Sequence, residues 1–532
     1  MKHFYKYTKA LSSVLVLSGC LGLTACTDAF DKWNINPNEV TPGEMGQDNL
    51  TTGAFFTQME KGVFIVGVDK GGEYQITEML AGDIFSGYVS NITTYSYATY
   101  HNDHYALYQG WYNAAFNDAY TDIMQPWISI QKEAEKNGTP AVGALADIVK
   151  VLGMSRITDM YGPIPYTKFG TTISVPYDSQ KDVYYKFFEE LDNAINILTA
   201  YHTANGTAKV LSKYDYIYSG DVEKWIKFAN TLRLRLAMRI SYIDGTKAET
   251  EATAAINHAI GLMKSADDSA ILHQNTNFTF TNPLWEVSQS FKYMRMGASM
   301  ESYLKGYEDP RLKVYFRPAD TDGNYHGARN GINRPNKDSY SPSISGLNFE
   351  TNSNMQWMDA AESYFLQAEA KLRWNIGGES AENLYNNGIK TSFSSKGASG
   401  ADNYIADDTK TPSDYDDPIS YNDAVKTTTT TVAWDESASM EQKLERIMIQ
   451  KWIAIFPDGQ EAWSEIRRTG YPQIFKIVTN QSNGEVASGE LIRRLKFPTT
   501  EYSNNSSNTT AAVTLLGGKG DTAGTKLWWD AK

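Results

Sequence analysis

Between Asp83 and Trp111 six tyrosines, Tyr88, Tyr95, Tyr97, Tyr100, Tyr105 and Tyr108, are interleaved with Asn91, His101, Asn102 and Asp103. Flat rings beside amides and carboxylates are what carbohydrate recognition needs. The apolar face of a sugar ring lies on an aromatic side chain while its hydroxyls take directed hydrogen bonds. Trp285 and Tyr293 in a second segment, and Tyr325, Asn333 and Tyr340 in a third, would complete such a platform. The expected ligand-binding set is therefore Asp83, Tyr95, Tyr97, Tyr100, His101, Asn102, Trp285, Tyr293 and Tyr325. Burial in the core is the competing role for each of these rings.

Other chemistries find less support. No H-E-x-x-H, G-x-S-x-G, P-loop or Rossmann glycine pattern occurs. A glycosidase would need only two carboxylates at the right separation, but Glu362 and Glu369, seven positions apart on a helical pattern, read as a solvated or salt-bridged stripe. Asp320, Asp322 and Gly323 open like a calcium loop that lacks its closing acid, and so read as a turn. His101 and His104 have no third ligand evident in the sequence and read as hydrogen-bonding residues. The expectation is a binding protein, not an enzyme, with no cofactor and no metal.

The amino terminus carries an export signal: Lys2, Lys6 and Lys9, then an apolar run from Ala10 to Leu23 that is too short to span a bilayer. Leu23-Thr24-Ala25-Cys26 resembles a lipobox, which makes residues 1–25 a leader and Cys26 the lipid-modified first residue of the mature chain. Leu17-Ser18-Gly19-Cys20 competes with it, but cleavage there would shorten the apolar region and strand Leu21 and Leu23. Both cysteines lie in this region, so folding must rest on core burial without a disulfide. The net charge of −13 argues against nucleic acid as a ligand, and removing the lysines of the leader makes the chain more acidic still.

These residues need elements to hold them. After a turn-rich tether over residues 26–46, the patterns predict a first helix near Gln47 to Lys61 and then neighbouring helix pairs. The pairs fall at about 105–134 with 138–160, 181–200 with 221–242, and 356–374 with 379–393, and Asp221 reads as an N-cap. Irregular segments Gly82–Asp103, His273–Arg295, Arg317–Met355 and Lys396–Glu436 lie between them. No linker divides residues 47–532, which read as a single mostly α-helical domain of helix pairs with elaborated loops.

A collinear set of motifs then resembles the SusD/RagB family of nutrient-binding outer-membrane lipoproteins. It comprises Asn34-Ile35-Asn36-Pro37-Asn38, the run Arg156 to Tyr166, and Lys227 to Arg235. It continues through Asp309-Pro310-Arg311, Ala361 to Glu369, Gln450 to Ala454, Glu461-Ala462-Trp463 and Arg467-Arg468-Thr469-Gly470. The resemblance implies about four tetratricopeptide-like helix pairs forming a superhelical scaffold, with a loop-rich half that carries the ligand site. It implies a surface-exposed, lipid-anchored lid on a SusC-like TonB-dependent transporter that captures oligosaccharides, or in some members peptides. No binding residue carries over by motif, so the site rests on loop position and chemistry.

Overall fold

The computed structural model describes residues 50–93, 101–333 and 337–532. The export segment with Cys26, and Tyr95, Tyr97 and Tyr100, lie outside the described residues. Helices predominate because apolar side chains recur at three- and four-residue spacing along most of the chain. The principal ones are α1 (Leu50–Gly62), α2 (Gln125–Asn137), α3 (Pro140–Tyr161), α4 (Gln180–Asn205), α5 (Val222–Arg239) and α6 (Gly245–Ile256). They continue with α7 (Ala298–Gly306), α8 (Ala360–Trp374), α9 (Ala381–Ser395), α10 (Met440–Ala454) and α11 (Gly459–Thr469).

Successive helices pack on one another: α2 on α3, α3 on α4, α4 on α5, α5 on α6, and α8 on both α9 and α10. This is the mostly α-helical, tetratricopeptide-like arrangement of hairpins that the sequence predicts. Asp221 accepts from the Lys224 amide at 3.1 Å and starts α5 as expected, and Gly162, at φ 85°, ends α3 where a side chain would be strained. Two boundaries differ. Tyr105 has left-handed backbone, so regular helix begins only at Gln109, and residues 355–358 form a strand before Asp359 caps α8.

Among the described residues four short strands make two antiparallel ribbons: β1 (Val89–Asn91) with β3 (Met294–Met296), and β2 (Ala270–Leu272) with β4 (Met355–Met358). Thr52–Lys532 forms one compact unit. Among the described residues no helix is long and apolar enough to cross a membrane.

The center of this unit is ionic. Arg156 of α3 bonds Glu78 and Asp458 at 2.7 Å each, and Arg235 of α5 bonds Glu362 of α8 at 2.5 Å. Arg239 holds Asp159, Glu461 and Glu465, while Lys451 of α10 lies 3.2 Å from each of Glu362, Glu461 and Glu465. Arg468 grips both oxygens of Glu369 at 2.7 Å and Glu465 at 2.6 Å. Glu362 and Glu369 are thus salt-bridged, as one half of the expectation held, but they are fully buried instead of solvated. Arg467 and Arg468 do more than complement a helix dipole, since both sit inside the core and Arg467 also donates to the carbonyls of Asp159 and Arg493 at 2.7 Å.

Burial opposes ionisation of Glu465, but Arg468, Lys451 and Arg239 outweigh it and hold the carboxyl well below its usual range. A carboxylate whose folded pKa is depressed stabilises the fold above its unfolded value, about 4.3, and loses that contribution as pH falls through the folded value. The destabilisation caused by Glu465→Gln, read by denaturant titration against the parent, should therefore be full at neutral pH and shrink in strong acid. Arg468→Met leaves Glu369 and Glu465 without their main cation. It should lower stability by about 3–5 kcal/mol, and an unchanged thermal midpoint would show the network to be dispensable.

Candidate functional site

The segment bearing most of the nominated tyrosines is anchored at both ends. On the entry side, β1 pairs with β3 in the register Val89↔Met296, Ser90↔Arg295 and Asn91↔Met294, and the Ile92 amide extends the ladder to the Tyr293 carbonyl at 3.0 Å. Ile92 is fully buried in a small satellite core with Ala328, Ile332, Tyr340 and Ile344. On the exit side, His101 and Ala106 exchange backbone hydrogen bonds of 3.1 and 3.0 Å around a turn over Asn102–His104. Tyr95, Tyr97 and Tyr100 fall between these two ties, outside the described residues.

The second nominated segment reaches the same place through β3. Asn282, wholly buried, caps a short helical turn by accepting from the amides of Leu284 and Trp285 at 3.0 and 3.2 Å, and Pro283 fills its first position. Asn282 also donates to the Ser353 carbonyl at 3.1 Å. The following residue, Glu286, accepts from the Gly71 amide at 2.8 Å. A Cβ at position 71 would collide with that carboxyl at 2.5 Å, so glycine is required for the approach. Beneath the loop Arg295 bonds the Ser288 carbonyl and, at 2.7 Å, the Ser341 hydroxyl, while burial pushes its guanidinium down to about 10.

On this buried support stand Trp285, Phe291 and Tyr293, each half-buried. Phe291 and Tyr293 have ring centroids 5.8 Å apart, and the Lys337 ammonium lies 4.9 Å over the Tyr293 ring. Phe291 and Lys337 were not among the nominated residues. Phe291, two positions before Tyr293, carried a legible signal, whereas Lys337 is brought there only by the fold.

The structure therefore brings Tyr293 beside the strand that leads into residues 94–100, with Trp285 earlier on the same loop and half-buried His101 where that segment returns. Two other described members of the set, Asp83 and Asn102, are enclosed in the core. Asp83 is only 3% exposed, accepts from the Tyr74 hydroxyl at 3.0 Å, and is pushed above the usual carboxylate range by burial and by Glu78. Asn102, equally buried, donates to the Leu80 carbonyl at 2.6 Å. Tyr325 packs on the core near α7, its carbonyl 3.3 Å from the Lys305 ammonium, beyond the Gly297–Ala328 link that separates it from Tyr293. Asp83 and Asn102 thus have structural roles, because their polar groups are occupied by the backbone and side chains that enclose them. Tyr340, the third segment's other ring, is fully buried.

A cleft of about 620 Å³ lies on the helical side, walled by α2, α3, α4 and residues 169–171. Its polar groups satisfy one another: Trp127 donates to Asp147 at 2.8 Å, Gln131 does so at 2.9 Å, and the Lys150 ammonium sits 3.6 Å over the Trp127 ring. The aromatic loops are the better candidate site, since they present rings to solvent on a rigid base.

The division between support and surface has a direct check. Asn102→Ala should cost about 1–3 kcal/mol in denaturant titrations, because it strands the Leu80 carbonyl in the core. Trp285→Ala should cost clearly less, and the reverse order would mean that Trp285 is a core residue.

A family model described as SusD-like, Susd and RagB outer membrane lipoprotein, matches residues 32–530. No curated protein matches the chain in sequence. Among solved structures, a chitin-binding SusD homolog from Flavobacterium johnsoniae is 40% identical with a TM-score of 0.85, over 90% of this chain and 98% of that one. A SusD homolog from Bacteroides uniformis is 34% identical with a TM-score of 0.85, over 91% and 99% of the two chains. A SusD-like protein from Bacteroides thetaiotaomicron is 33% identical with a TM-score of 0.84, over 90% and 98%.

Proposed function

We propose, since this chain belongs to the SusD-like family of outer-membrane lipoproteins, that it is a non-enzymatic glycan-binding protein of the cell surface. In this reading it captures oligosaccharide on the loop platform and hands it to a SusC-like TonB-dependent transporter. The observation that supports the reading is that Trp285, Phe291 and Tyr293 are half-buried, not enclosed, on a loop with a buried polar support, and that Tyr293 is joined by backbone to the strand preceding Tyr95, Tyr97 and Tyr100. Such rings bind the apolar faces of pyranoses without chemistry on the ligand.

A relative sharing two-fifths of its residues binds chitin, which makes chito-oligosaccharides the first ligand to test. The acetamido methyl groups of that polymer suit an aromatic floor, and its amides suit polar neighbours such as His101. A shallow, wet platform gains little beyond the cost of ordering the sugar, so a single-site Kd of roughly micromolar to millimolar is expected. A peptide-binding protein for the same kind of transporter is the alternative, and a surface glycosidase would require steady release of reducing sugar by the purified protein.

Two measurements test the proposal. Calorimetry with chito-oligosaccharides of increasing length should give saturable binding that falls at least about tenfold in Trp285→Ala and in the double variant Tyr95→Ala/Tyr97→Ala, about 1.4 kcal/mol or more. Unchanged affinity in both would remove the platform from the mechanism. The tether over residues 26–46 belongs to the same proposal. Cys26→Ala should move the protein from the outer-membrane fraction to the soluble one, and acylation persisting at Cys20 would reassign the cleavage site.

A further inference from the structure

We infer that His101, Asp103 and His104 form a divalent transition-metal site of the zinc class at the foot of the aromatic platform. One donor atom from each of the three residues lies within 4.8 Å of the others. The sequence pairs only the two histidines; the third ligand comes from the turn over Asn102–His104, which brings Asp103 into the group.

The geometry favours a metal over an ordinary ion pair. His104 Nδ1 is 3.3 Å from Asp103 Oδ2, yet the two lack the alignment of a hydrogen bond. In a tetrahedral zinc site with bonds near 2.0–2.1 Å, neighbouring donor atoms are about 3.4 Å apart, so this spacing suits two ligands of one ion. The imidazoles of His101 and His104 have centroids 5.3 Å apart and are inclined by 52°, which lets both present a nitrogen to a common point. Asp103 is 1% exposed and His104 7%, so the carboxylate sits where a divalent cation would neutralise it without competition from bulk water. His101 is half-buried, on the more exposed side of the group.

The turn is held before any metal arrives. His101 and Ala106 pair through their backbones, Asn102 is tied to Leu80, and the His104 carbonyl accepts from the Gln481 amide at 2.8 Å. Two imidazoles and a carboxylate with one open position are a ligand set for zinc, cobalt, nickel or copper, and not for calcium or magnesium. Bound there, the ion would cross-link the turn that closes the tyrosine-bearing segment. The site stands independently of the glycan reading.

The test uses the mature chain, purified without a polyhistidine tag and stripped with chelator, titrated with Zn²⁺ by calorimetry and with Co²⁺ by visible absorption. One equivalent should bind, the cobalt spectrum should be that of a tetrahedral or five-coordinate ion, and zinc should raise the thermal midpoint. His101→Ala, Asp103→Asn and His104→Ala should each weaken binding at least tenfold, while His258→Ala and His273→Ala keep parental affinity. His101 is the variant safest for folding, because it is half-exposed and its backbone tie to Ala106 survives the substitution. Absence of saturable binding, or parental affinity in His101→Ala, would overturn the proposal and leave His104 and Asp103 as a plain buried pair.

Discussion

Five helices and the segment that leads to the ligand loops converge on one buried ionic lattice. Arg156, Arg235, Arg239, Lys451 and Arg468 carry its positive charge, and acids from α5's neighbours on every side answer them. Charges removed from water are costly unless each is matched, and a cluster matched this closely admits one arrangement of its helices. Sliding α8 by one turn toward Leu366 would take Glu362 from Arg235 and leave that guanidinium facing a methyl group. Apolar packing can tolerate such a slip more readily, because methyl groups are interchangeable in a way that an Arg468–Glu369 fork is not.

That lattice also accounts for the motifs that made the family legible in the chain. Arg156, Asp159, Arg235, Glu362, Glu369, Lys451, Glu461 and Arg468 all fall within the quoted motifs and all lie in or against the network. They report the scaffold and say nothing of the ligand. Neutralising the center leaves the loops chemically independent of it, which is how one scaffold can present different surfaces.

Local signals were read correctly and distant ones were not. The helix pairs follow from periodicity, and the Asp221 cap from a residue type next to its helix, both of which are short-range properties. Asp83 and Asn102 looked like platform residues because they share a segment with the tyrosines, but Tyr74 and Leu80 enclose them through folding that composition does not encode. Tyr325, half-buried, lies on a segment tied by a parallel link between Gly297 and Ala328. The third ligand of the histidine pair was adjacent in sequence yet unread, since only the tight turn aims Asp103 at His104.

Two main-chain ties bracket residues 94–100. On one side stands the Ile92–Tyr293 hydrogen bond, on the other the His101–Ala106 pair, and neither uses a side chain from the seven residues between. Both ties are made by main-chain groups, so they hold β1 to β3 and close the turn over Asn102–His104 whatever side chains their own residues carry. The frame of the loop is thus written in the backbone, a part of the chain that substitution leaves in place.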